Sequence, residues 1–397
     1  MLIKRVMTEK IIQASSEFPV IAIVGPRQSG KTTLSQIAFP RHKYVSLEDY
    51  DVRALAQADL RKFLSEYPTE FGIILDEIQN APELLSYMQT IVDKQKKNGY
   101  FIVTGSQNFL ADEAITQTLA GRMAVFTLLP LSISELKNTD LLPEKIETLV
   151  YKGSYPKLYA QDVSVERLYS NYIRLYVERD VRQIKNVSDL NTFQRFMQLC
   201  AGRIGQILNL TSLGNDCGIN NSTAKAWISL LEASYVVFLL YPYYKNFGKR
   251  IIKSPKLYFI DTGVACSLLK IRSPQELSDH YLRGGLVESS IISDLLKQQH
   301  NLEQRPSLYF WRDKTGNEID CIIDQSKYPV PVEIKAGKTV VSDFFKEIDH
   351  WNELTKNSQG PKFLIYGGAE DQNWPQANVL SWQSTGNLIK DLEREET

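Results

Sequence analysis

The chain has 397 residues, more than one hydrophobic core usually organises, so two or three domains are expected. Lys plus Arg and Asp plus Glu both total 46, so no net field draws a polyanion to the whole molecule, and 43% hydrophobic with 23% charged residues excludes a disordered chain. Cys200, Cys217, Cys266 and Cys321 are far apart and form no C-x-x-C pair, which excludes a disulfide framework and the usual zinc signatures.

Over the first 130 residues, short continuous apolar runs alternate with helical stretches, the pattern of a parallel sheet covered on both faces. Strands are expected at 20–24, 44–47, 72–75, 100–104 and 123–128, and 137–147 reads as a linker. No apolar run approaches the ~20 residues that span a bilayer, so no membrane partner and a cytoplasmic location are expected. From 163 to 202 apolar positions recur at helical spacing. Two helices at 210–217 and 222–233 follow, split by the turn Gly218-Ile219-Asn220-Asn221, which is the shape of a helix-turn-helix. After 281 come a helix at 285–299, strands at 308–311, 318–324 and 330–334, a helix at 342–355 and a strand at 362–366. The expected class is therefore α/β: a parallel-sheet domain over 1–137, a helical and helix-turn-helix region over 145–280, and a mixed α/β domain over 281–397.

The segment Gly25-Pro26-Arg27-Gln28-Ser29-Gly30-Lys31-Thr32-Thr33 fits G-x-x-x-x-G-K-[ST] between a strand and a helix. Backbone N–H groups of Gly25, Gln28, Ser29, Gly30 and the residues from Lys31 to Thr33 are placed to cradle the phosphates of ATP, Lys31 to reach the β and γ phosphates, and Thr32 to ligate Mg2+. The run Ile73-Ile74-Leu75-Asp76-Glu77 ends an apolar strand in two carboxylates. Asp76 is expected to hold the magnesium and Glu77 to deprotonate the attacking water; the competing reading is a pair of strand-end acids capping the next helix. Thr104, Ser106 and Gln107, at the end of another strand, are candidates to sense the γ-phosphate. Arg122 has two readings: an arginine finger in its own or a neighbouring subunit, or a helix C-terminal arginine favoured by the helix dipole.

With GPRQSGKTT, IILDEIQ, VTGSQN and LAGR, and further along GSYP at 153–156, YVERDV at 176–181 and KSPKLYFIDTG at 253–263, the chain resembles a bacterial and archaeal family of AAA-type ATPases. In that family the P-loop core is followed by a helical and winged-helix region and a restriction-endonuclease-like C-terminal domain. GSYP departs slightly from the family's usual Gly-Gly-Phe-Pro. The resemblance implies a winged helix in the middle region and, by analogy with ring-forming relatives, a homo-oligomer.

From 161 to 260 there are thirteen Lys or Arg against seven Asp or Glu, and from 245 to 256 five positive residues meet no acid. DNA is favoured there if anywhere; the alternative is a solvated surface or a contact with an acidic neighbour. Thr211 and Ser222 are expected to cap the two short helices, Leu213, Ile219, Ala224 and Leu231 to pack them, and Asn220, Asn221, Thr223, Lys225 and Trp227 to remain accessible for a major groove. Tyr243 and Tyr244 offer stacking surfaces. Further on, Asp320 and Glu333-Ile334-Lys335 match the D...E-x-K core of restriction-endonuclease-like nucleases, and Glu288 resembles the additional acidic ligand of that group. A second divalent metal on Glu288, Asp320 and Glu333, with Lys335 positioning water or countering charge, implies DNA cleavage. The alternative is an inert nuclease-like domain in a chain whose ATP cycle switches protein assembly.

Overall fold

The computed structural model describes residues 2–67, 70–105, 119–177, 189–243, 253–324, 328–356 and 360–396. The first sheet holds β1 (Val20–Val24), β2 (Lys43–Ser46), β3 (Ile73–Asp76), β4 (Phe101–Gly105) and β5 (Met123–Thr127) in the order β2-β3-β4-β1-β5. All four pairings are parallel. Strand alternation divides its apolar residues between two cores: Val20, Ala22, Val24, Leu75 and Val103 pack on one face, and Ile21, Ile23, Ile74 and Ile102 on the other. A continuous apolar run thus buries both faces. Every strand therefore ends at the same sheet edge, where β1 delivers residues 25–31 and β3 delivers Asp76.

The middle region is helical, with Val165–Leu175, Leu190–Ala201, Leu210–Cys217 and Asn221–Ala233 as its main helices. Asn209 and Asn220 cap the last two by accepting from Ser212 N–H at 3.0 Å and Thr223 N–H at 2.7 Å, so the caps fall two residues earlier than Thr211 and Ser222. Leu213, Ala224 and Leu231 are buried as expected. Trp227 is buried too, its ring edge-on to Phe193 and Phe196 at 5.1 and 5.2 Å, because helix Leu190–Ala201 covers the face that the pair alone would leave free.

A second, mixed sheet of eight strands follows. It contains β6 (Val237–Pro242), β7 (Lys256–Phe259), β8 (Leu308–Arg312), β9 (Glu318–Asp324), β10 (Pro329–Lys335), β11 (Phe363–Tyr366), β12 (Gln372–Asn373) and β13 (Asn378–Ser381) in the order β12-β13-β11-β10-β9-β8-β6-β7. β6 pairs in parallel with β8, so the sheet runs across residue 280 rather than beginning there. One core joins residues of the middle region to helix Arg283–Asn301 and one face of this sheet; Trp311, Trp351 and Leu364 belong to a separate core that includes helix Lys346–Thr355.

Candidate functional site

At the end of β1 the chain turns sharply. Gly25 has φ 146°, and a Cβ there would lie 2.2 Å from the Leu128 carbonyl oxygen, so only glycine lets the loop start beside β5. Gln28 and Gly30 also have positive φ, and Gly30 leads directly into helix Lys31–Ala38. The loop therefore presents a helix N-terminus, where unpaired N–H groups favour an anion. Lys31 Nζ donates to the carbonyls of Gly25 at 3.1 Å and Pro26 at 2.9 Å, lying along the loop. Ser29 is buried and its Oγ has no hydrogen-bond partner among the described residues, an arrangement that suits an oxygen-rich ligand.

Asp76 is the hub of the facing acidic corner. Thr32 Oγ1 donates to its Oδ2 at 2.9 Å and its Oδ1 at 3.1 Å, the Tyr44 hydroxyl donates to Oδ2 at 2.8 Å, and the Thr104 hydroxyl donates to Oδ1. Burial, then the hydrogen bond to Asp76, pushes the Tyr44 phenol upward, so it stays a proton donor. A hydroxyl and a carboxylate in direct contact beside the phosphate loop fit the oxygen donors that Mg2+ prefers. Glu77 follows with φ 57°, a left-handed conformation uncommon for a non-glycine residue, and its Oε2 accepts from Gln79 Nε2. Its N–H donates to Thr104 Oγ1 at 3.2 Å. Thr104 Oγ1 is thus engaged by the Asp76 carboxylate and the Glu77 backbone N–H, while Ser106, Gln107 and Asn108 lie outside the described residues.

A cavity of about 770 Å3 opens on this loop, lined by Gln28 through Leu34 and Glu77. Its other walls come from residues 2–5 and from Pro156, Lys157, Ala160 and Gln161, so the extreme N-terminus and the middle region both face it. Arg5 joins these parts: its Nη1 donates to the Ser29 carbonyl at 2.8 Å, Nη2 to the Leu129 carbonyl at 2.7 Å and Nε to Glu135 Oε1 at 2.9 Å.

Arg122 lies elsewhere. It precedes β5, and its carbonyl accepts from Val20 N–H at 3.1 Å, which places it at the opening edge of the parallel sheet. The five residues of β1 separate that edge from the phosphate loop, about 15 Å at strand rise. Its guanidinium grips Asp93 through Nε at 2.6 Å and Nη2 at 3.1 Å. The expectation that it reaches the phosphates of its own chain is therefore corrected: strand direction puts it at the wrong end.

The second cluster is held by the eight-stranded sheet. Glu288 comes from helix Arg283–Asn301, Asp320 from β9, and Glu333 and Lys335 from one face of β10. The Val332–Cys321 register sets Glu333 opposite Asp320, Ile334 N–H donates to Asp320 Oδ2 at 2.9 Å, and Lys335 Nζ donates to Glu333 Oε1 at 2.6 Å. Burial first, then the Asp320 charge, raises the Glu288 carboxyl to about 7 and the Glu333 carboxyl well above its ordinary value. Burial alone would lower Lys335; Glu333 and Asp320 outweigh it and raise it.

Two residues outside the motif share this place. Lys256 Nζ lies 3.0 Å from Glu288 Oε1 and is also paired with Glu318, with its side chain only 3% exposed. Lys256 is thus removed from the basic strip available to a polyanion, because β7 turns it inward; residues 245–252 and Tyr244 lie outside the described residues. Glu318 stands two residues before Asp320 on the same strand face, a period-two signal that the sequence contained.

A family model described as an AAA domain matches residues 17–137, and that stretch is an AAA-type P-loop domain. Residues 143–275 match a domain of unknown function, DUF8612, and residues 283–384 another, DUF4143. The chain is 28% identical to the uncharacterized protein Rv2008c of Mycobacterium tuberculosis, over 85% of this chain and 74% of that one. It is 25% identical to the uncharacterized protein MJ1637 of Methanocaldococcus jannaschii, over 93% and 84%. Among solved structures, the Walker-type ATPase PABY2304 of Pyrococcus abyssi is similar with a TM-score of 0.45 and 15% identity, over 67% of this chain and 96% of that one. No helix among the described residues is long and apolar enough to cross a membrane.

Proposed function

We propose that the chain binds Mg-ATP on residues 25–33 and hydrolyses it. The observation that carries this reading is the contact of Thr32 Oγ1 with both oxygens of Asp76, which assembles a hydroxyl and a carboxylate beside the lysine-bearing loop. Lys31 leaves the Gly25 and Pro26 carbonyls for the β and γ phosphates; Thr32 and Asp76 would hold the magnesium, which when bound neutralises charge developing on the phosphate oxygens. Glu77 takes the proton of the attacking water, a role supported by its place in the wall of the cavity that Lys31 and Thr32 also line. Arg122, at the opposite edge of the sheet, serves a neighbouring copy in a homo-oligomer.

We further read Glu288, Asp320 and Glu333 as holding a second divalent cation, with Lys335 fixed by Glu333 to position a water or counter charge on a DNA phosphate. The cation, when bound, supplies Lewis-acid stabilisation. ATP turnover would then drive the DNA-associated middle region and the nuclease-like cluster together. The assembly-switch reading keeps one specific support: helix Asn221–Ala233 offers Lys225 as its single cation, and Trp227 and Lys256 are both buried, which leaves few described groups for DNA.

The test measures ATP hydrolysis and metal-dependent cleavage on the full chain together, with and without DNA. Lys31→Ala and Glu77→Gln should each lower turnover by ~10²-fold or more, and wild-type turnover in both would overturn the ATPase assignment. DNA should stimulate hydrolysis in the first reading and leave it unchanged in the second. Cleavage that is absent, or equal in Lys335→Ala, removes the nuclease.

A further inference from the structure

The acidic cluster contains more charge than its motif accounts for. Four carboxylates, Glu288, Glu318, Asp320 and Glu333, face two ammonium groups, Lys256 and Lys335, and the Arg312 guanidinium reaches Glu318 Oε2 at 3.1 Å from the half-exposed side. Oxygens of Glu288, Glu318 and Asp320 all lie within 4.8 Å of one another. Lys335 is engaged by Glu333 Oε1 and Arg312 by the outer oxygen of Glu318, so Lys256 is the buried cation that bridges Glu288 and Glu318. An independent sign of an absent cation is Glu333 Oε2: the residue is 2% exposed, the oxygen has no hydrogen-bond partner among the described residues, and the strand register aims Glu333 at Asp320.

Lys256 Nζ bridges Glu288 and Glu318, and the Tyr258 hydroxyl also donates to Glu288 Oε1. A divalent ion bound to the same carboxylates would sit ~2.0–2.6 Å from their oxygens. The ammonium is already 3.0 Å from one of them, so both cations would be forced into repulsive contact in a place poorly screened by solvent. In this seated position the ammonium also lies 5.7 Å from the Phe310 ring centroid, which attracts a cation, while the Lys256 main chain is held by the β6 pairing.

We propose that Glu318 is a ligand, with Glu288 and Asp320, of the divalent-cation site, and that the Lys256 ammonium is a tethered counter-cation that the incoming ion displaces. This rests on the reading of the cluster as a metal site. It assigns the middle region, through the Lys256 side chain that β7 supplies, a direct hand in whether that site is loaded: the seated ammonium opposes the metal, and its withdrawal favours the metal. Displacement is an ion exchange with no covalent step.

Mn2+ alone is the probe, titrated into the nucleotide-free full chain and followed by the loss of the free-ion electron paramagnetic resonance signal. Each variant leaves the P-loop carboxylate intact, so differences report on the cluster. Lys256→Met should bind Mn2+ at least ~10-fold more tightly than wild type. Its thermal midpoint should fall in EDTA and recover with Mn2+. Glu318→Gln should bind at least ~10-fold more weakly, as expected for loss of a charged ligand. Should Lys256→Met fail to fold, amine-reactive labelling of wild type followed by peptide mass spectrometry replaces it, with Lys256 modification expected to rise on Mn2+ saturation. Wild type binding no more Mn2+ than Asp320→Asn would remove the metal site itself. Binding lost in Asp320→Asn but unchanged in Glu318→Gln, or unchanged in Lys256→Met, or labelling unmoved by Mn2+, would overturn this inference alone.

Discussion

Arg5 and Glu135, 130 positions apart in sequence, form a buried ion pair at 2.9 Å, and the same guanidinium holds the Ser29 carbonyl of the phosphate loop at 2.8 Å. Glu135 also receives Val6 N–H at 2.9 Å and closes the capping box on Ser132 at the start of helix Ile133–Lys137. The side chains are 7% and 0% exposed, so removing one charge strands the other away from water. Arg5→Met should therefore cost about 3–5 kcal/mol, read by urea unfolding. Its ATP affinity should also fall, because Ser29 loses its brace; unchanged affinity in a protein that remains folded would separate the brace from binding.

Gly153 occupies a crowded turn where residues 153–156 meet the start of helix Thr262–Leu268. It has φ 66°, and a Cβ would lie 2.1 Å from the Tyr169 hydroxyl and 2.3 Å from Asp261 Oδ1. Asp261 cannot easily yield, since it accepts from Ser154 N–H at 2.7 Å, Ser154 Oγ at 2.9 Å, Tyr169 at 2.7 Å and Gly263 N–H at 3.0 Å. Backbone strain of ~1–3 kcal/mol and overpacking of ~1–3 kcal/mol act together in Gly153→Ala. Calorimetry should show a clear fall in Tm with ATP turnover per folded molecule retained.

His300 gives stability a pH dependence of known sign. Burial lowers its pKa from 6.5 to about 4, so between these values the unfolded chain binds a proton that the folded chain refuses. Stability from this group is complete above about pH 6.5 and is lost as pH falls toward 4. Between pH 7 and pH 5 wild type should lose about 2 kcal/mol more than His300→Gln, measured by urea unfolding at both pH values. Parallel losses in the two proteins would assign the change to other groups.

The position of Arg122 leads to a complementation experiment. Arg122→Ala and Glu77→Gln should each turn over ATP poorly, with a loss of ~10²–10⁴ for the general base and ~10³–10⁵ for the finger. Mixing the two proteins should restore part of the activity, because a shared site would combine an intact Glu77 with a neighbour's intact Arg122. No recovery in assemblies shown to exchange subunits would leave Arg122 as the structural partner of Asp93.

The P-loop half was legible because its signals are local. Glycine positions in 25–30, the apolar strand before them and the helix after them all lie within one stretch of chain, and the loop geometry proposed to bind phosphate is built from that stretch. Asp76 and Glu77 were legible because a parallel sheet brings the ends of its strands to one edge. Trp227 was not: an amphipathic reading of one helix pair leaves it outside, and only the arrival of Phe193 and Phe196 from another helix explains its burial. Lys256 was misplaced for a similar reason, since a run of positive charge looks solvated until an antiparallel strand turns one member inward.

By itself the amino-acid order determined the α/β class, the phosphate loop, the paired strand-end acids and the alternation that puts Glu333 and Lys335 on one face, all consequences of backbone periodicity within single elements. Tertiary structure alone decided that Arg5 braces the loop, that Arg122 stands at the far edge of the sheet, and that Lys256 joins Glu288 and Glu318. Those relations depend on which residues from distant segments share a buried volume. There the cost of an uncompensated charge selects partners that no spacing along the chain reveals.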